Sequence, residues 1–164
     1  EGIELHQAEK HAYATSEQMS IKNLKGGTVL QRDSILGIDC DILVPCAVGN
    51  VINEGTCHSI KAKMIVEGAN NATSRMAEQM LFEKGIIVIP DFLANAGGVI
   101  GSYVEYKNGT EEEAFAMIES KIKKNTERVI SDAMDRKLTP RQVALEIAQQ
   151  RIMDAMEKQG RGRR

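Results

Sequence analysis

Three short apolar runs, each cut off abruptly, govern what this sequence can become. Ile42-Leu43-Val44 stops at Pro45, Met64-Ile65-Val66 at Glu67-Gly68, and Ile86-Ile87-Val88-Ile89 at Pro90-Asp91. Runs this short that are apolar at successive positions are apolar on both faces, as strands inside a parallel sheet are. Helical stretches are expected between them. One is Val51 to Ile60. The other is Thr73 to Lys84, where Met76, Ala77, Met80 and Leu81 mark an apolar face and Gly85 supplies a C-cap. Strand, helix, strand, helix, strand is the order of a doubly wound α/β fold.

The flanking segments read as helical. Residues 1–24 carry scattered apolar positions at spacings that a helix accommodates, and Lys25-Gly26-Gly27 breaks the pattern. Ser34 to Leu36 suits a short helical turn. Downstream, Gly98 to Tyr106 continues from the third strand loop as a helix. Thr110-Glu111-Glu112-Glu113 is a capping box, and it opens a long helix with Phe115, Ile118, Ile122, Val129 and Ala133 on one stripe. Thr139-Pro140-Arg141-Gln142 starts another, with Thr as cap and Pro at the first helical position. Leu145, Ala148, Ile152, Ala155 and Met156 mark the apolar face of that last helix. The expected division is a partial α/β domain over residues 1–108 and a helical extension over 109–164. No internal repeat or low-complexity segment is present.

Composition narrows the function classes. With 42% hydrophobic and 27% charged residues, the chain has the make-up of a globular protein. Its 164 residues can bury roughly two-thirds of their unfolded surface. A formal net charge of -2 gives no reason to expect nucleic acid as a partner. The basic tail Arg161, Arg163, Arg164 is short and terminal, where fraying is the default. No apolar stretch approaches the roughly 20 residues of a membrane span, and Glu1 to Lys10 does not read as a signal peptide. The cysteines are Cys40, Cys46 and Cys57, an odd count at irregular spacing that argues against a disulfide framework or a zinc site. They fit a reducing cytoplasm, with Cys40 and Cys46 as small apolar residues flanking a strand. His6, His11 and His58 complete no metal constellation, and Cys57 and His58 are sequence neighbours that point apart.

In a sheet of this kind ligands bind beyond the carboxyl ends of the strands, so chemistry is expected in the strand-end loops. These are Cys46-Ala47-Val48-Gly49-Asn50, Gly68-Ala69-Asn70-Asn71, and Asp91 to Gly98. Gly97-Gly98 precedes a helix and permits close approach of backbone to a ligand, with free N–H groups at the helix start. Asn95 offers a donor and an acceptor, which the amide of a nicotinamide needs; a plain strand-to-helix turn with Asn as cap is an equal reading. Asn70 suits a ribose hydroxyl or an amide, whereas Asn71 is better read as an Asx turn or cap. Ser102 lies one turn into the helix and points back toward its loop, although mid-helix serines more often bond their own backbone or face water. No Gly-x-Gly-x-x-Gly occurs, and Gly98-Val99-Ile100-Gly101 lacks its first glycine. Lys25-Gly26-Gly27-Thr28 lacks the upstream half of a Walker A sequence.

Four of these words resemble the glutamate/leucine/phenylalanine/valine dehydrogenase family. They are Asp41-Ile42-Leu43-Val44-Pro45-Cys46-Ala47, Asn50-Val51-Ile52, Lys63-Met64-Ile65-Val66-Glu67-Gly68-Ala69-Asn70, and Ile89 to Val99. The likeness is specific over residues 39–106, looser to residue 160 and vague before residue 36. It implies a partial Rossmann-like, doubly wound parallel sheet followed by carboxy-terminal helices. The sequence would begin after the second Rossmann strand. The glycine fingerprint, and the lysines and aspartate that handle the substrate, would then lie upstream. No catalytic residue and no metal ligand is therefore expected here, and the chain alone is expected to be inactive.

By the same resemblance the cofactor is NAD or NADP. The backbone of Cys46, Ala47 and Val48 would line the nicotinamide side, Asn70 would meet its ribose and Asn95 its carboxamide. Val99 and Ser102 would face the substrate, with Ser102 on the γ-carboxylate of glutamate, since members acting on leucine or phenylalanine look apolar there. Ile100 and Gly101 depart from the commoner glutamate-type residues, and Cys46 stands where Ala is usual. The implied reaction is reversible oxidative deamination of glutamate to 2-oxoglutarate and ammonium. The implied setting is cytoplasmic, with a homo-oligomer or the missing amino-terminal part as partner, and neither nucleic acid nor membrane. Two alternatives stand beside it: a non-catalytic nucleotide-binding or oligomerisation module, and a leucine, phenylalanine or valine dehydrogenase fragment.

Overall fold

The computed structural model describes residues 30–159. The expected amino-terminal helix, the glycine break after Lys25, the basic tail, His6 and His11 lie outside them. The chain divides into two units, Glu1–Ile35 and Leu36–Arg164. The second holds every strand and α-helix discussed below. A 3-10 turn, Arg32–Gly37, spans the division and includes the turn expected at Ser34 to Leu36.

The three apolar runs form three parallel strands in sequential order: β1 (Ile42–Leu43), β2 (Met64–Val66) and β3 (Ile87–Ile89). Ile42 pairs with Met64, and Ile65 with Val88. Alternation along the strands supplies two cores. Ile65 and Val88 face one side, where Ile52, Ile60, Ala77 and Leu81 pack on them. Met64, Val66, Ile87 and Ile89 face the other, against Leu93, Val129, Ala133, Val143 and Ala144. The sheet is thus covered on both faces, as a partial Rossmann-like α/β fold requires. β1 is the exception to the expectation of complete burial. It lies at the edge of the sheet, and Ile42 and Val44 are both more than half exposed.

The expected helix over Val51–Ile60 does not form. Ile52 makes a parallel bridge with Thr73, and the segment continues through turns into a 3-10 turn at Cys57–Ser59. Polar side chains divert its backbone. Asn53 Nδ2 donates to Asn50 O, Gly55 N to Asn53 Oδ1, Asn53 N to Thr56 Oγ1, and Thr56 Oγ1 to Val51 O. Such local bonds compete directly with the helical ladder. Cys57 is buried while the adjacent His58 is exposed, so the two form no pair.

α1 (Arg75–Glu83) is capped by Ser74, whose hydroxyl accepts from Ala77 N, and is followed by Gly85 at φ +79°. Its buried positions are Ala77, Glu78 and Leu81; Met76, expected inside, is exposed. The third loop contains α2 (Asp91–Ala94) and leads into α3 (Gly97–Tyr106). α4 (Glu111–Arg136) has the expected reciprocal capping box between Thr110 and Glu113. Val129 and Ala133 bury as expected, but Phe115 at the head of that stripe is exposed. α5 (Pro140–Lys158) starts at the expected Thr139 cap.

The buried face of α5 differs from the expected one. Val143 and Ala144, with Ile147 beside them, pack on the sheet, whereas Ala148, Ile152, Ala155 and Met156 are exposed and Leu145 is half-buried. Only the first two turns of α5 reach the sheet, so periodicity over its whole length selects the wrong stripe. No helix among the described residues is long and apolar enough to cross a membrane.

Candidate functional site

The carboxyl ends of all three strands open into one groove. Pro45 ends the first run, and its carbonyl accepts from Gly68 N (3.1 Å) and Ala69 N (2.8 Å), joining the first loop to the second. Asn50 N donates to Asn71 O at 2.7 Å and closes the pair further along. The approach is tight. A methyl group on Gly49 would lie 2.9 Å from Asn70 O, below any real contact distance. Asn50 and Asn71 both take left-handed backbone conformations, with φ of 57° and 49°, which asparagine tolerates better than other non-glycine residues. Asn71 is no helix cap; Ser74 has that role.

The groove encloses about 780 Å³, and its lining includes Cys46, Ala47, Val48, Asn70, Asn95, Val99 and Ser102. The structure therefore brings together every residue singled out as a cofactor or substrate contact. They come from three loops and the first two turns of α3. Cys46 is exposed in the groove rather than packed as a small apolar flank of β1. Gly98 also lines the groove, and a methyl group there would meet no protein atom within 4 Å.

Two asparagines connect the second and third loops. Asn95 Nδ2 donates to Asn70 Oδ1 at 2.7 Å and to Gly68 O at 3.2 Å. Among the described residues, Asn95 Oδ1 and Asn70 Nδ2 take part in no hydrogen bond, leaving one acceptor and one donor in the groove lining. The N–H groups of Gly97 and Gly98 at the start of α3 lack intrahelical partners, as the first N–H groups of any helix do. A ligand that carries both amide and hydroxyl groups can use this acceptor and donor. The groove's volume also suits a ligand of drug size or larger. Among the described residues the lining contains no carboxylate, imidazole or amine. It can hold and orient a ligand through amides, hydroxyl and backbone groups.

Beneath the loops is a cluster that the sequence reading missed. Arg141, at the start of α5, is buried among three carboxylates. Its Nη2 meets Glu67 Oε2 at 2.5 Å, its Nε meets Glu78 Oε2 at 2.6 Å and its Nη1 meets Asp91 Oδ1 at 3.0 Å. Its guanidinium also lies 5.5 Å from the centre of the Phe92 ring. Burial is the largest influence on Glu78 and raises its carboxyl above the ordinary range, although Arg141 draws it down. Burial also acts to raise Asp91, but the N–H groups of Asn71 and Phe92, together with Arg141, outweigh it and hold that carboxyl low. A signal was available: Glu67 directly follows one buried strand and Asp91 follows another after a single proline, and a basic residue stands in the first turn of a helix, where the dipole disfavours it.

Comparison with known proteins agrees in family and fold. The family model described as Glutamate/Leucine/Phenylalanine/Valine dehydrogenase matches residues 1–160. An NADP-specific glutamate dehydrogenase of Saccharolobus shibatae is 38% identical over 98% of this chain and 39% of its own length. A glutamate dehydrogenase of Aeropyrum pernix is 39% identical over 98% of this chain and 40% of its own. Among solved structures, L-tryptophan dehydrogenase from Nostoc punctiforme superposes with a TM-score of 0.74 at 33% identity, over 84% of this chain and 42% of that one. The hetero-hexameric glutamate dehydrogenase of Thermus thermophilus gives 0.73 at 25% identity, over 87% and 35%. The chain spans about two-fifths of the length of these two curated relatives.

Proposed function

The chain belongs to the glutamate/leucine/phenylalanine/valine dehydrogenase family, and we propose that it forms the nicotinamide-side half of an NAD(P)-dependent glutamate dehydrogenase. The observation that carries this reading is the single groove at the strand ends, lined by Cys46, Ala47, Val48, Asn70, Asn95, Val99 and Ser102. The reaction would be the reversible oxidative deamination of L-glutamate to 2-oxoglutarate and ammonium. The nicotinamide, when bound, supplies the hydride acceptor. The chain's own residues hold and align. Asn95 Oδ1 accepts from the carboxamide, Asn70 Nδ2 donates to the ribose, and the backbone of residues 46–48 walls the ring. Ser102 donates its hydroxyl to the substrate's side-chain carboxylate, while Val99 covers its methylenes. Proton transfer falls to groups other than the amides that line this groove. On this reading residues 1–108 belong to the cofactor domain and 109–164 to its helical extension, and the chain alone turns over no substrate.

Calorimetric titration of the 164-residue chain with NADH and NADPH tests the reading. Saturable binding that Asn95→Ala abolishes is expected. No binding at millimolar ligand would overturn it in favour of a module that keeps the fold without the cofactor. The likeness to a tryptophan dehydrogenase supports a second substrate class, an apolar amino acid, and residue 102 separates the two.

A further inference from the structure

Asn70 and Asn95 can act as a pair only if their loops keep a fixed separation, and on the groove side the bonds of Asn95 Nδ2 to Asn70 Oδ1 and Gly68 O tie the two loops together. A second set of bonds braces the same loops from below. Glu67, wholly buried at the end of β2, accepts from Thr73 N through Oε1 (2.6 Å) and from Asp91 N through Oε2 (2.9 Å). Its one carboxylate therefore closes the second loop and anchors the start of the third. Asp91 returns the contact, with Oδ2 accepting from Asn71 N at 2.9 Å. That bond holds Asn71 in its left-handed conformation, next to Asn70. Arg141 then joins both carboxylates, through Nη2 to Glu67 and Nη1 to Asp91.

None of Glu67, Asp91 and Arg141 lines the groove. Two adjacent buried carboxylates would repel each other without a counter-charge, and the planar fork of Arg141 can bond both at once. We infer that Asp91 and Arg141 are positioning residues for cofactor binding: through Glu67 and Asn71 they set the spacing of Asn70 and Asn95, so that α5 controls the site without touching it. The inference rests on the reading of the groove as a cofactor site.

Glu78 provides the internal control. It bonds Arg141 from α1 but no group of either loop. Asp91→Asn is nearly isosteric, yet its single oxygen cannot accept from both Asn71 and Arg141 as the carboxylate does. Arg141→Lys keeps the charge and loses the fork. The experiment uses the ¹⁵N-labelled 164-residue chain and its Asp91→Asn, Arg141→Lys and Glu78→Gln variants. It reads the Asn71 backbone amide, the Asn95 side-chain amide and the NADH dissociation constant.

Asp91→Asn and Arg141→Lys are expected to move both amide signals and to weaken NADH binding about tenfold, the scale of one lost charge-assisted bond. Glu78→Gln is expected to alter melting temperature while leaving the Asn95 signal and NADH affinity in place. Unmoved Asn71 and Asn95 signals in a folded Asp91→Asn chain would overturn the positioning role, as would equal effects of Asp91→Asn and Glu78→Gln on NADH affinity. A wild-type chain that fails to bind NADH would overturn the cofactor reading instead. The amide signals, read without ligand, would still decide whether the network sets the asparagine pair. Should Arg141→Lys not fold, the Asp91→Asn comparison decides alone.

Discussion

Gly68 and Cys46 face each other with no room for another atom: a methyl group on Gly68 would lie 2.6 Å from Cys46 Sγ. Gly68→Ala therefore obliges the exposed Cys46 side chain to turn aside, at a cost of about 0.5–1.5 kcal/mol. The sulfur is the atom in the way, and the next contact, Pro45 O, would be at an ordinary 3.4 Å. Cys46→Ala added to Gly68→Ala should restore most of the loss. Urea denaturation of the two single variants and the double gives the coupling directly. Strictly additive losses would mean that the clash is relieved elsewhere.

Glu78 and Asp91 give opposite pH dependences. Burial favours the proton on Glu78, and its Oε1 finds no partner among the described residues. Its contribution to stability is present below the ordinary value of 4.5 and is lost as pH rises through its raised folded value. Asp91 behaves in reverse. Its contribution is present above the ordinary value of 3.8 and is lost as pH falls through its lowered folded value. Glu78→Gln should therefore gain melting temperature relative to wild type as pH rises from about 4 to about 8, the side on which a buried carboxylate is charged. A constant offset across that range would rule this out.

The capping box at Thr110 is a separable contribution to α4. Thr110→Ala removes the acceptor for Glu113 N and should lower stability by about 1 kcal/mol. Thr110→Ser, which keeps the oxygen, should stay within about 0.5 kcal/mol of wild type on the same principle. Equal losses in guanidinium denaturation would assign the effect to the methyl group instead.

Ser102 is exposed in the groove on α3, so Ser102→Val should fold normally. In an assembly with the segments that complete the enzyme, kcat/KM for glutamate is expected to fall about tenfold or more, since a bond to a charged group is lost. Turnover of leucine should rise relative to glutamate. An unchanged ratio would remove Ser102 from substrate recognition.

Much of the site was legible because it is local. Apolar runs cut off at Pro45, Glu67-Gly68 and Pro90 announce parallel strands, and parallel strands place their terminal loops at one end of the sheet, where Asn70 and Asn95 are found. Caps were equally legible at Thr110 and Thr139, where a few adjacent residues decide the geometry. What escaped was decided at a distance. Arg141 and Glu67 are 74 residues apart, and no spacing rule connects them. The helix expected at Val51–Ile60 failed because Asn53 and Thr56 bond nearby backbone more favourably than the ladder does. The face of α5 was misjudged because only its first two turns meet the sheet, a fact set by where the sheet ends rather than by the helix's own sequence.

The distance between Glu67 and Arg141 also has a meaning in time. Chains are made from the amino terminus at about 5–20 residues per second, so Glu67, Glu78 and Asp91 leave the ribosome on the order of seconds before Arg141 can answer them. Until then three carboxylates share a region that the finished protein keeps dry, and the strand ends must stay hydrated. The sheet's interior is sealed by a helix synthesised after all three of its described strands. A chain interrupted before Arg141 would carry all three strands and still lack the charge that lets them close.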